Sequence, residues 1–233
     1  MRAYLIVAAM LFLVVSPGRA DLIKNGSFDT FIIAGADANF GGVIRYFSPP
    51  PNTDIADWTI SGTPSDGAPN NVDLVHTFLY PSFTGAAGSN SLDMEGAVGA
   101  SGVIFQSFAT TAGDTYHLSF EYANNPMPGP LSSGSMNVLV TGTGPSLLNK
   151  GVTHSGSTVA DMNYQLFSED FIADSGTTTL QFEATTKSGF GIALDAVSVN
   201  LAGTPPTVPE PGGMALLGTA LAGLGLFRRL RKA

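Results

Sequence analysis

Residues 115–122 read Thr-Tyr-His-Leu-Ser-Phe-Glu-Tyr. Tyr116, Leu118, Phe120 and Tyr122 alternate with Thr115, His117, Ser119 and Glu121, so an extended chain here carries one apolar and one polar face. That alternation predicts a half-buried antiparallel strand. Gly113-Asp114, just before it, predicts a turn. Working outward, Val103–Phe108, Met136–Thr141 and Thr178–Thr185 alternate in the same way, and the Gly/Pro/Ser-rich stretches Gly85–Ser91 and Pro126–Gly134 predict loops. Neither an internal repeat nor a long helical period interrupts this central region. The expected fold is all-β, a two-sheet antiparallel β-sandwich of the jelly-roll type. One irregularity stands out near its end. Ile192 and Leu194 put apolar residues on even numbers, whereas Val197, Val199 and Leu201 put them on odd ones. The change of parity at Asp195-Ala196 fits a β-bulge, or else a loop over 190–195 with the strand starting at Ala196.

Composition narrows the chemistry. The 233 residues contain no Cys, which excludes a disulfide scaffold, a Cys-based zinc site, an iron–sulfur cluster and a Cys nucleophile. The formal charge of −8 is unevenly spread. Between residues 21 and 207 lie 17 acidic side chains against only Lys24, Arg45, Lys150 and Lys187. Such a region repels nucleic acid and anionic lipid and is compatible with divalent cations and neutral polymers.

The two ends read as addresses. Residues 1–20 have a basic start, an apolar run from Tyr4 to Val15 and a small-residue stretch ending at Ala20, the pattern of a secretory signal helix cleaved after Ala20. The sandwich is expected over 21–203. Residues 204–211, Thr-Pro-Pro-Thr-Val-Pro-Glu-Pro, form a linker that prolines keep out of a helix. Residues 212–233 then give Gly212-Gly213, an apolar stretch from Met214 to Phe227, and Arg228-Arg229-Leu230-Arg231-Lys232-Ala233. An apolar helix followed by a basic cluster orients that cluster to the cytoplasm. Its 14 apolar-stretch residues would reach about 21 Å, short of a hydrocarbon core of about 30 Å, which suits transient insertion better than permanent anchoring.

Val-Pro-Glu-Pro, a short hydrophobic helix and a basic end together resemble the PEP-CTERM sorting signal. The resemblance implies a bacterium with an outer membrane that makes exopolysaccharide. It also implies recognition of Pro209, Glu210 and Pro211 by an exosortase, a membrane-embedded protease that removes the tail. A second resemblance spans residues 22–201. Asn25-Gly26-Ser27-Phe28-Asp29, Asp57-Trp58-Thr59-Ile60-Ser61-Gly62, Asn71-Val72-Asp73-Leu74-Val75 and Ser91-Leu92-Asp93-Met94-Glu95-Gly96 occur in that order. Gln106-Ser107-Phe108, the 110–116 segment, Asn124-Asn125-Pro126 and Ala193-Leu194-Asp195-Ala196-Val197-Ser198-Val199 follow. Together they resemble the choice-of-anchor C family of bacterial surface domains, which is similar to galactose-binding-like sandwiches and many carbohydrate-binding modules. The stretch between Phe31 and Ile55 is longer than in that family.

The resemblance implies a structural calcium where the first and last of these segments lie side by side, held by Asp29 and Asp195 with a further oxygen from Asn25. Calcium takes about six to eight oxygens, which an acid-rich domain can supply. The alternative makes both aspartates turn residues that accept backbone amides. Asp93 and Glu95, spaced i, i+2, invite comparison with the carboxylate pair of a glycosidase, against a simpler role for Asp93 in fixing a turn beside Gly96. Trp58 fits a core anchor better than a sugar platform. Phe78, Tyr80 and Phe83, in His-Thr-Phe-Leu-Tyr-Pro-Ser-Phe, are the glycan-binding candidates, the alternative being a strand that packs Phe78 and Tyr80 inward. The three histidines are isolated and expected at the surface. No Gly-x-Ser-x-Gly, His-Glu-x-x-His or Gly-x-x-x-x-Gly-Lys motif is present, and no catalytic residue is assigned. The expected role is non-catalytic association with extracellular polysaccharide, at the cell surface or in the matrix, after tethering to the membrane and exosortase processing. The alternatives are a structural matrix protein without a ligand site, or a glycosidase or lyase.

Overall fold

The computed structural model describes residues 21–33, 38–39, 43–47, 52–60, 70–76, 88–96, 99, 101–126, 133–186 and 189–203. These contain twelve strands and no helix. The larger sheet runs in the order β1 (Ala38–Asn39), β2 (Val43–Phe47), β4 (Asn71–His76), β5 (Asn90–Asp93), β12 (Ile192–Leu201), β7 (Thr115–Asn124), β10 (Gln165–Ile172). The smaller sheet runs β3 (Thr59–Ile60), β6 (Val103–Ala109), β11 (Thr177–Ala184), β8 (Gly134–Thr141), β9 (Leu148–His154). Every strand pair is antiparallel. The two sheets face one another as a sandwich, as the alternation predicts. The chain divides after Leu201, and Ala202–Ala233 forms a separate unit.

The alternating strands close the core. Tyr116, Leu118 and Phe120 of β7 meet Met136, Val138 and Val140 of β8 and Leu180 and Phe182 of β11, all buried. Phe120 meets Phe182 edge-on at 5.1 Å between ring centres, and stacks on Phe167 of β10 at 4.5 Å. Trp58 is fully buried between Phe28 and Phe182, a core anchor. Its indole N–H donates to the Asn25 carbonyl at 3.0 Å.

Local expectations fare unevenly. The turn before β7 is centred one residue earlier, on Ala112-Gly113, with Asp114 N donating to Thr111 O at 3.1 Å. Gly113 supplies φ +89°, which that position of the turn requires. The loop expected to end at Ser91 is shorter: Asn90 and Ser91 already pair with His76 and Val75 of β4, so non-local pairing overrides a weak local preference. Gly134 likewise opens β8 rather than closing a loop. At Asp195 the bulge is real: β12 runs through it with a register shift between Asp195 and Ser198, and Ala196 takes φ +52°. The terminal signal and sorting helices lie outside the described residues, among which no helix is long and apolar enough to cross a membrane.

Candidate functional site

The two terminal segments of the sandwich do lie side by side. Leu22 N donates to Val199 O at 2.9 Å and Val197 N to Gly26 O at 3.0 Å. Gly26 is required there, because a Cβ would be driven into the Val197 carbonyl. The three side chains assigned to calcium each have protein hydrogen-bond partners. Asn25 Oδ1 accepts from Thr30 N at 3.0 Å, and its Nδ2 donates to the carbonyls of Thr30 and Ala56, both at 2.9 Å. Asp29 Oδ1 takes the Ser89 amide at 2.8 Å and the Asn90 side chain at 2.9 Å. Asp195, fully buried, takes the Ala196 amide at 2.6 Å. Asn90 shares the core-facing parity of Leu92, whereas Asp195 shares the opposite parity of Ala193. As placed, Asn25, Asp29 and Asp195 each accept a different backbone amide, those of Thr30, Ser89 and Ala196. Among the described residues, no three of His, Asp and Glu are grouped to hold a metal.

A different set converges on the outer face of the larger sheet. Register pairs set Asp73 opposite Asp93, Val75 opposite Ser91, Ala193 opposite both Asp93 and Ala123, and Asp195 opposite Glu121. The segment after β9 covers this face: Met162 and Tyr164 pack on Val75, Ala123 and Ala193. The Tyr164 hydroxyl sits 3.0 Å from Ser91 Oγ. Burial, reinforced by the charges of Asp195, Glu121 and Asp93, pushes that hydroxyl's pKa up against the opposing Ser91 bond. Asp93 Oδ1 accepts from Glu95 N at 3.0 Å and Gly191 N at 3.3 Å, and its Oδ2 from Asn125 Nδ2 at 2.6 Å. Burial, with the charges of Asp73 and Glu95 adding to it, holds the Asp93 carboxyl well above the usual range, despite the opposing bonds from Asn125 and the Glu95 amide. Glu95 lies beyond the end of β5, fully buried, and accepts from the Thr186 hydroxyl. The i, i+2 spacing thus closes a turn through Asp93, and the two residues are not successive members of one strand face. Asn71, at the head of β4, is 3% exposed and its Oδ1 has no hydrogen-bond partner. Leaving such an acceptor dry costs about 1–3 kcal/mol.

The histidines part company. His154 is not a surface residue: it is 1% exposed, because β9 turns Leu148, Val152 and His154 inward. Its Nδ1 accepts the Asn124 amide at 3.0 Å, and its Nε2 lies 2.8 Å from Asn163 O, tying down the covering segment. His117 is exposed as expected, with Nδ1 2.6 Å from Asp170 Oδ1 and Nε2 3.2 Å from Ser168 Oγ. That bond order matches a nucleophilic triad, but side-chain exposures of 43% for His117 and 58% for Asp170 leave both bonds in competition with water. His76 ends β4.

A surface groove of about 500 Å³ follows the edge of β6. β3 pairs only with Ile104 and Phe105, so beyond Phe105 the β6 edge meets the N-terminal segment instead of a strand. The Lys24 amide donates to Gln106 Oε1 at 2.8 Å, and Gln106 Nε2 returns to Lys24 O at 3.0 Å. Half-buried Phe105 lines the groove beside exposed Lys24, Asp57 and Ser107. An aromatic face beside hydroxyl, carboxylate and ammonium groups can both stack on and hydrogen-bond a sugar ring. Sequence reading did not find this place, since its residues come from three separate stretches, 22–24, 57–59 and 105–109. Phe78, Tyr80 and Phe83 lie outside the described residues, as do Pro209, Glu210 and Pro211.

A family model described as the PEP-CTERM protein-sorting motif matches residues 207–232. The chain therefore carries the signal of an exported protein handled by an exosortase and held at the membrane before processing. No curated protein matches the chain in sequence. Among solved structures, the fold is similar to that of TmCBM61, a carbohydrate-binding module solved in complex with beta-1,4-galactotriose. The TM-score is 0.50 at 15% identity, over 78% of this chain and 99% of that one. A CBM4 structure gives a TM-score of 0.41 at 14% identity, over 77% and 99%. The arabinose-bound MgGH51 α-L-arabinofuranosidase gives 0.46 at 14%, over 78% of this chain and 26% of that chain. At such identities the TmCBM61 likeness establishes the fold alone, a two-sheet antiparallel β-sandwich.

Proposed function

We propose that this chain is an exosortase-processed surface or matrix protein whose sandwich associates, without catalysis, with extracellular polysaccharide. The carrying observation is the open groove along β6, lined by half-buried Phe105 and by the exposed polar residues Lys24, Asp57 and Ser107. The sorting motif supports this reading, since it marks the chain for export and handling by an exosortase. The fold agrees as well, since TmCBM61 was solved with a galactose oligomer. A hydrolytic reading finds less support, because Asp93 and Glu95 are both buried and turned onto protein donors. The test is a glycan array followed by titration of the purified protein. Saturable binding to a glycan class is expected, and Phe105→Ala should weaken it by about tenfold through lost stacking. Flat signals from folded protein, or binding that Phe105→Ala and Lys24→Ala leave intact, would overturn the groove assignment. Flat signals would further favour a structural matrix role.

A further inference from the structure

We propose that β10, the edge strand of the larger sheet, pairs antiparallel with β10 of a second copy about a twofold axis at Glu169. The two larger sheets then run on as one.

β10 pairs with β7 over all eight of its residues, and among the described residues no strand pairs with its other side. At about 3.3 Å per residue, that side offers about 26 Å of backbone to another chain. Phe167 and Phe171 turn inward and stack on Phe120 and Tyr116. Leu166, Ser168, Asp170 and Ile172 therefore share the outer face, where Leu166 is 67% and Ile172 60% exposed. Edges are ordinarily kept short or guarded by charge. β1, at the opposite edge, has two residues, and β9, the long edge of the smaller sheet, exposes Asn149, Lys150 and Gly151. The acids of β10 are already engaged within the copy. Asp170 Oδ1 lies 2.6 Å from His117 Nδ1, and Glu169 Oε1 lies 3.6 Å from Lys150 Nζ.

The order of residues selects a second copy as the occupant, because β10 is self-complementary about Glu169. In that register Leu166 meets Ile172 of the second copy, and Ser168 meets Asp170, on both sides of the axis. Apolar side chains then pair with apolar ones, a hydroxyl donor faces a carboxylate, and two Lys150 ammoniums flank the two Glu169 carboxylates. A slip of two residues would set Leu166 against Asp170, or Asp170 against itself. One strand per copy makes a small interface, so a reversible dimer with Kd in the micromolar range is expected. β6 lies toward the opposite end of the smaller sheet from β9, whose Lys150 reaches β10, so both grooves stay open. Two grooves on one particle could then engage one polymer with added avidity.

The test is sedimentation of the purified protein over a concentration series, with crosslinking to read the register. A concentration-dependent monomer–dimer equilibrium is expected. Leu166→Lys and Ile172→Lys, both at exposed positions, should each weaken it by about tenfold or more. The chain has no Cys, so introduced thiols report without background. Leu166→Cys mixed with Ile172→Cys should give a disulfide-linked dimer, and neither should link to itself. A protein that stays monomeric through the micromolar range overturns the proposal. So does a dimer that both lysine variants leave intact, which would assign association to another surface, or one in which Leu166→Cys links to itself. None of these readouts requires a glycan, so they stand or fall independently of the groove.

Discussion

Replacing Trp58 separates a core role from a ligand role at the one tryptophan of the chain. The ring is fully buried, 5.5 Å from Phe28 and 6.2 Å from Phe182 between ring centres, and its N–H donates to Asn25 O. Trp58→Phe removes that donor, but Asn25 O keeps a second partner in the Phe28 amide at 3.1 Å, so no acceptor is orphaned. The lost bond is then worth about 1 kcal/mol. The smaller ring gives up roughly 40 Å² of buried surface, about 1 kcal/mol more. Trp58→Phe should therefore cost about 2 kcal/mol. Trp58→Ala leaves a cavity between Phe28 and Phe182 and should cost about 4–5 kcal/mol, a large share of a typical domain stability of about 5–15 kcal/mol. Urea unfolding followed by far-UV circular dichroism measures both, since the mutations remove the fluorescent probe. The variants should fall in that order, with the glycan affinity of Trp58→Phe unchanged. A loss below about 1 kcal/mol for Trp58→Ala would refute the core assignment, given the magnitudes of large-to-small core substitutions.

Asn25→Ala deletes one accepted and two donated bonds and puts Ala at φ +51°, so it should cost about 3 kcal/mol in calcium and in EDTA alike; a loss confined to calcium-containing buffer would show that Asn25 is a metal ligand after all. Asp93→Asn tests the buried carboxyl by urea midpoints across pH in EDTA. Because burial raises the Asp93 pKa in the folded state, folded protein holds the proton more tightly than unfolded chain. Its contribution to stability is complete below the ordinary carboxylate pKa and is lost as pH rises through the raised value. The variant should therefore gain on the wild type as pH increases, and a difference constant with pH would show that burial does not perturb this group.

What was legible in the sequence follows from how each strand is covered. β6, β7, β8 and β11 each bury mainly one face, so their apolar residues alternate and the two-sheet fold follows from them. The bulge was legible for the same reason, because a parity change is visible only where alternation is otherwise kept. β5 is buried at all four positions, since Met162 and Tyr164 cover the face that an antiparallel sheet would ordinarily give to water, and the alternation is lost. β10 fails in the opposite way. It is an edge strand with Leu166 67% and Ile172 60% exposed, so its apolar residues do not mark a face.

That covered face also explains why the polar site escaped sequence reading. Asn71, Asp73 and Val75 do alternate with Val72 and Leu74, and the natural inference is a polar side toward solvent. In the folded chain Asn71 and Asp73 are nearly as buried as the core, with Gly96 lying against both side-chain oxygens, while Met162 and Tyr164 of a remote segment cover Val75 on the same side of the sheet. Nothing within a few residues of Asp73 encodes that closure, nor its register with Asp93 twenty residues later. The resemblance found the right seam at Gly26 and Val197, yet a backbone seam does not commit its side chains to a common ligand. Asn25, Asp29 and Asp195 each take a different backbone amide, and the buried oxygens left without a partner are those of Asn71 and of Asn90, the latter beside Asp29. A buried polar atom without a partner is a physical demand on whatever occupies the space beside it, and a match of motifs makes no such demand.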